Sequence, residues 1–544
     1  MSRDAANGKT TKVWIGLLLI PIVICLLWRF YDLDRDPPVV SWSIGELLDP
    51  GTYLYNARSY ALFGDWRPSE GVIQASAGYT YLAALWFGIT GIGYAQAVIL
   101  SVLSGMVLIG ATTVGAELAA RQWFPGLPRW RAATFALLSM SVSSILFALQ
   151  RVPKGDMESI AVAAVAALAL LLLESPLVSA RQGWWLAALG GFGIGMAPFV
   201  KLHAAVFSMA ALASWCLGFW VDDARWRAIW KRTTPGLVVG IAGAVVVWLA
   251  NAWWLSQFHL GGEQAVTVSG ISHWFVSSGP TQPGAGFLPW RFLRSNLLYR
   301  QPVEALLVSV AFAVYVFRVR RSWGLLFCMM WMLSGVALLS VLAYDPLRYR
   351  ILFTMPAVIL GAHLLTSLSS QGYDWVATKR DQWGIACALL FLACGAVSVV
   401  ELRMNRLFEI LPFAAVVMVA ALLMAAGLWL MAKVVTGRVF AGLLVAGMIA
   451  VALPQWVASE RNPTHGFREL AASLPADVRV LGGDVGIEIA LWTKLDCREE
   501  VMGNVTHVIS RETPDVPATV RLEEMGAVAL PGFPLPVRMF KVLR

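Results

Sequence analysis

Apolar runs long enough to cross a membrane recur along most of the chain, separated by short polar breaks. The first covers residues 13–30 and follows a polar start with Arg3, Lys9 and Lys12. Others lie near 93–119, 132–149, 157–173, 235–255, 302–317, 322–343, 351–368, 383–400, 410–432 and 439–456. One longer run, 184–220, holds two, with Pro198, Lys201 and His203 marking the break. A helix needs about 20 apolar residues to span a bilayer, so the pattern predicts about thirteen transmembrane helices. Residues 77–90 are apolar but short, which suits a helix lying on or dipping into the surface. Two polar segments, 31–76 and 256–301, are too long to be turns and form outer loops.

The pattern changes after residue 456. A helix is expected near 468–474, a strand at 478–483 and a helix at 485–495. Two more strands are expected at 506–510 and 537–543. This predicts a small α/β domain over 457–544, of ordinary domain size. It carries no glycine-rich phosphate loop, since GGDVG at 482–486 lacks the spacing.

Composition agrees with a membrane protein. Of the 544 residues 58% are hydrophobic and 14% charged, against about a quarter charged in a soluble protein. The net charge of +9 does not point to nucleic acid. Its dense basic loops alternate with the spans, as the positive-inside rule requires. That places the N-terminus in the cytoplasm and the C-terminal domain outside. The six cysteines make neither a disulfide framework nor a zinc pattern.

The candidate chemistry gathers on the outer side. In the segment 47–66 Asp49 precedes Pro50, which reads as a helix start with the carboxylate as N-cap. Tyr53, Asn56, Tyr60 and Phe63 follow at helical spacing, with Arg58 and Asp65 among them, as expected of a helix at the headgroup layer. Asp156 sits with Arg151, Lys154 and Glu158 in the turn before the fourth span. Lys201 and His203 lie between the fifth and sixth spans. Arg348, Tyr349 and Arg350 precede the tenth. Two acids and two cationic groups at one interface suit a lipid phosphate and a hydroxyl nucleophile. Each also has a structural explanation. Asp156 can cap a helix, Lys201 can reach up to the headgroups, and the arginines can bind anionic lipid.

These patches, taken in order, resemble the GT-C glycosyltransferases that use polyprenyl-phosphate sugars. The branch is that of the protein O-mannosyltransferases and the lipid A aminoarabinose transferase. The likeness rests on DPGTYLYNARSYALFGDW at 49–66, Arg151 spaced from Asp156, GIGMAPFVK ending at Lys201, and RYRILFTMP at 348–356. It covers most of residues 10–370 and is only architectural in the tail. The chain departs from the family where an Asp-Glu pair is usual, having Asp49-Pro50, with Glu46 nearby.

The resemblance implies an all-α polytopic membrane protein of GT-C type, with a transmembrane catalytic domain over 1–456 and a small C-terminal α/β extracytoplasmic domain. It implies inverting transfer of a sugar from a polyprenyl phosphate to a hydroxyl on a glycan, glycolipid or protein. The site would face outward from the bacterial inner membrane. Asp49 and Asp156 would be catalytic, and Lys201, Arg348 and Tyr349 would hold the donor phosphate. Glu46, Tyr53, Arg58, Glu158 and His203 would serve the acceptor or support the site. No dedicated metal cage is visible; a divalent cation beside Asp49 and Asp156 stays open. Two other classes stay open: a lipid or glycolipid transporter or flippase, and a non-catalytic GT-C-like envelope scaffold. Clustered charge at one face without matched halves counts against a transporter.

Overall fold

The computed structural model describes residues 22–31, 33, 45–68, 73, 76–123, 130–258, 309, 311–316, 317–341, 351–371, 446, 449, 463–498, 504–514, 516, 519–529 and 536–543. The helices are α1 (22–28), α2 (Gly45–Phe63), α3 (Ala77–Thr90), α4 (Tyr94–Trp123), α5 (Arg131–Val142), α6 (Ser144–Gln150), α7 (Asp156–Leu172), α8 (Ala180–Val200), α9 (Ala205–Cys216), α10 (Ala224–Ser256), α11 (Trp323–Val341) and α12 (Thr354–Gln371). In the tail come α13 (Pro463–Ala472), β1 (Val480–Gly482), α14 (Asp484–Glu488), β2 (Asp496–Cys497), β3 (His507–Ser510), β4 (Arg521–Val528) and β5 (Val537–Leu543).

Four described segments are long and apolar enough to cross a membrane: α4, α8, Leu202–Trp220 and α10. The chain is a polytopic membrane protein with a small C-terminal sheet. The expected spans at 383–400, 410–432 and 439–456 fall largely or wholly outside the described residues, and so do the first halves of those at 13–30 and 302–317. The loop 256–301 lies outside them beyond residue 258.

Helix-to-helix packing uses small residues. A Cβ at Gly191 would lie 2.2 Å from the Leu237 carbonyl, and one at Gly240 2.0 Å from the Ala188 carbonyl. Without a hydrophobic drive between helices in lipid, such close backbone approach lets α8 and α10 hold together by contact. A buried core of α4, α5, α7, α9, α11 and α12 side chains fills the rest, including Leu138, Leu170, Phe207 and Trp331.

Four local expectations are corrected. Asp49 is not an N-cap: α2 begins at Gly45, and Pro50 lies inside it. Pro50 is the sixth residue of α2, past the first turn, so its missing N–H removes one intrahelical hydrogen bond to the carbonyl four residues back. The third span is two helices, because Ser143 is extended (φ −61°, ψ 114°) and its side chain caps α6 through Leu146 N. Pro198 lies within α8, and the break falls at Lys201 (φ −157°, ψ 128°). The basic stretch with Arg225, Arg227, Lys231 and Arg232, expected as one of the inner basic loops between spans, is the first part of α10.

In the tail the sheet order is β2-β1-β3-β5-β4. β1 pairs in parallel with β2 and β3, while β5 pairs antiparallel with β3 and β4. Phe467 and Leu470 of α13 pack with Leu481, Val485, Ile489 and Ile509. The helix expected over 485–495 is shorter: α14 gives way to a 3-10 turn at Ile489–Trp492. β2 and β4 had no expectation.

Candidate active site

The N-terminus of α7, the C-terminus of α8 and the first half of α2 meet at one end of the bundle. Gly155, just before α7, has φ +82°, and a Cβ there would lie 2.7 Å from the Tyr79 ring. Only glycine fits that left-handed, crowded corner. It turns the chain so that Asp156 opens α7, where the helix dipole favours an acid.

Lys201, released from α8 by its extended backbone, reaches back to Asp156. Its Nζ lies 2.9 Å from Asp156 Oδ1 and donates to the Lys154 carbonyl at 2.7 Å. It also sits 4.0 Å from the centroid of the Tyr53 ring. An ammonium has three donors, and here one faces a carboxylate, one a carbonyl and one an aromatic face. Lys201 and Asp156 keep 6% and 2% of their side-chain exposure. A charge so desolvated is tolerable only when paired and hydrogen-bonded. His203 Nε2 stands 3.4 Å from Asp156 Oδ1 and 3.4 Å from Ser159 Oγ, closing the buried group.

Asp49 lies one turn before Tyr53 on α2. The side chains of Glu46 and Asp49 lie outside the described residues, and so do Arg348 and Tyr349. Among the described residues no group of three His, Cys, Asp or Glu is placed to hold a metal ion.

No protein-family model and no curated protein matches the sequence. Solved structures do. ArnT from Cupriavidus metallidurans in the apo state matches with a TM-score of 0.53 at 16% identity, covering 98% of both chains. The same protein bound to undecaprenyl phosphate matches with a TM-score of 0.52 at 15% identity, covering 96% of this chain and 98% of that one. The fold is GT-C.

Within this GT-C fold the structure gathers Tyr53, Asp156, Lys201 and His203 and separates two other sequence candidates from them. Glu158 is two residues beyond Asp156, about 200° around the helix, and accepts from Ser101 Oγ on α4 at 2.8 Å. Arg58 is buried beneath the C-terminal domain, donating to the carbonyls of Thr493 (2.9 Å) and Leu495 (2.6 Å). Arg151, whose spacing from Asp156 drew attention, braces the turn by donating to the carbonyls of Trp28 and Tyr31.

The GT-C bundle end is covered by the segment 488–498 of the C-terminal domain, which lies along α2. Tyr55 Oη donates to the Cys497 carbonyl at 2.7 Å, and Arg67 pairs with Asp496 at 2.5 Å. Leu491 joins the apolar cluster of Leu54, Ala57 and Tyr79, and Trp492 stacks on Tyr94 with centroids 4.9 Å apart. Burial raises the Asp496 carboxyl, but the Arg67 hydrogen bond and charge, helped by Arg498, outweigh it and hold it below its ordinary value. Burial pushes the Cys497 thiol up to about 11, which makes it a packing residue rather than a nucleophile.

Sequence reasoning missed Ser159, Arg67 and Glu488. Glu488 accepts from Gly51 N at 3.1 Å and from Thr52 Oγ1 at 3.0 Å. The available signal was a single acid in the apolar run GIEIALW at 486–492.

Proposed function

We propose that the chain is an integral membrane glycosyltransferase that moves a sugar from a polyprenyl-phosphate donor to an acceptor hydroxyl, with inversion, at the outer face of the bacterial inner membrane. The observation that carries this reading is the meeting of α2 with the Asp156–Lys201 pair, Tyr53 against Lys201, in a chain whose fold matches ArnT over nearly its whole length.

In this reading Asp49 takes the acceptor proton as general base. The hydroxyl oxygen bonds to the anomeric carbon while the bond from that carbon to the phosphate oxygen breaks. The polyprenyl phosphate leaves with the electron pair. Lys201, Arg348 and Tyr349 stabilise the phosphate charge. Asp156 and His203 hold Lys201 in place, so Asp156 acts through the lysine. Glu46 and Tyr53 border the acceptor. A phosphate meets the ammonium beside the Tyr53 ring, which stays against Lys201, while Asp156 and the Lys154 carbonyl hold its other donors. The acceptor is a glycan, glycolipid or protein.

The test is transfer of radiolabelled sugar from a polyprenyl phosphate by the purified protein in lipid. Wild type transfers label, and Asp49→Asn loses it by about a hundredfold or more. Wild-type rates in Asp49→Asn remove Asp49 from this role. A wild type that transfers nothing leaves the scaffold or transporter reading.

A further inference from the structure

α2 begins in an unusual way. Pro50 is inside the helix, so the turn it occupies lacks one of its own hydrogen bonds. The next two residues find a partner 436 and 437 residues away in sequence. Gly51 N donates to Glu488 Oε2 and Thr52 Oγ1 donates to Glu488 Oε1, at 3.1 and 3.0 Å. One carboxylate thus takes donors from consecutive residues with its two oxygens. Glu488 is 6% exposed, so these bonds are little shared with water. The approach is as close as a backbone permits: a Cβ on Gly51 would lie 2.6 Å from Glu488 Cα and 2.6 Å from the Ile487 carbonyl oxygen. The residue after this pair, Tyr53, is the one against Lys201.

We propose that Glu488 is a positioning residue for the site: the C-terminal domain, through this one carboxylate, sets where the 49–53 turn of α2 stands relative to Lys201. The inference rests on the functional reading above and extends it to the domain that carries Glu488. The domain is then a working part of the site, because a turn displaced by an ångström misaligns base and donor while leaving the donor's own contacts intact.

The experiment compares purified full-length wild type with Glu488→Ala, Glu488→Gln and Arg67→Ala. Arg67→Ala removes a different contact of the same interface, the Asp496 pair. Two quantities are read: kcat and donor KM for sugar transfer, and hydrogen–deuterium exchange of the 45–53 segment. Glu488→Ala is expected to lower kcat by about tenfold or more, with donor KM within about threefold. Its exchange over 45–53 rises about tenfold. Glu488→Gln, which keeps one acceptor oxygen, recovers part of both. Arg67→Ala leaves both near wild type. Wild-type exchange over 45–53 in Glu488→Ala overturns the proposal. So does an equal rise in Arg67→Ala, which reports general undocking, or a loss confined to KM. A wild type without transfer overturns the functional reading instead, and the exchange comparison still decides whether Glu488 holds the turn.

Discussion

Lys201 Nζ and Asp156 Oδ1 stand 2.9 Å apart with both side chains almost wholly buried. Removing one partner leaves the other charge in a dry place, at a cost of about 3–5 kcal/mol. Asp156→Ala and Lys201→Met are each expected to lower the unfolding temperature in detergent and abolish transfer. The double variant Asp156→Leu/Lys201→Met carries neither charge. It should recover most of the stability, because apolar replacement of a buried pair is often neutral, and recover none of the transfer. Recovery of both would make the pair purely structural.

Tyr53 meets Lys201 through its ring face, 4.0 Å from the centroid. A cation over a desolvated ring is worth about 1–2 kcal/mol, most of it from the ring and not the hydroxyl. Tyr53→Phe should therefore keep transfer near wild type. Tyr53→Ala should lower kcat/KM by about five- to thirtyfold. Steady-state kinetics on the two variants separates them; equal losses would mean that the hydroxyl does the work.

The Arg67–Asp496 pair predicts how domain docking responds to acid. Burial raises the Asp496 carboxyl, and the Arg67 bond and charge lower it by more. Its folded pKa therefore lies below the unfolded value of about 3.9. The stabilisation is complete above that value and is lost as pH falls through the folded pKa. Docking should be level between about pH 5 and 8 and weaken below about pH 4. Solvent reaches the pair, so its share is about 1 kcal/mol. Limited proteolysis across this range checks it. Other carboxylates titrate there too, so the measured quantity is the difference between wild type and Asp496→Asn, which lacks this component.

Hydrophobic length made α4, α7, α8 and α10 legible in the sequence, because membrane helices are read by run length. It did not locate their ends. Ser143 breaks the third run by its backbone and cap, and neither alters hydrophobicity. Pro198 suggested a break and instead sits in α8, with the chain turning at Lys201. β4 was invisible because its sequence, RLEEMGAV, is mostly exposed and shows no apolar face. In the site, Asp156 and Lys201 were foreseen as neighbours on one side of the membrane, but not as partners of one another. Glu488 could not be found by local reading, since its partners lie more than four hundred residues away. Arg58 looked like a site residue for the same reason: spacing along α2 shows a face without showing what covers it.

Two glycine-to-alanine substitutions should have opposite signs. In an exposed helix interior alanine is favoured over glycine by about 1 kcal/mol. Gly88, inside α3, has nothing within 4 Å of where its Cβ would stand, so Gly88→Ala should be neutral or stabilising by up to that amount. Gly51 is also helical, but its Cβ would lie 2.6 Å from Glu488 Cα and from the Ile487 carbonyl oxygen. Those are backbone atoms and cannot rotate away; α14 must move as a unit. Overpacking of this kind costs about 1–3 kcal/mol, more than the helix preference returns. Gly51→Ala should therefore loosen the C-terminal domain from α2, and Gly88→Ala should not. Limited proteolysis of the tail and exchange over 45–53 should both accelerate in the first variant alone. Equal protection in the two would mean that α14 does not pack on α2 as closely as these distances require.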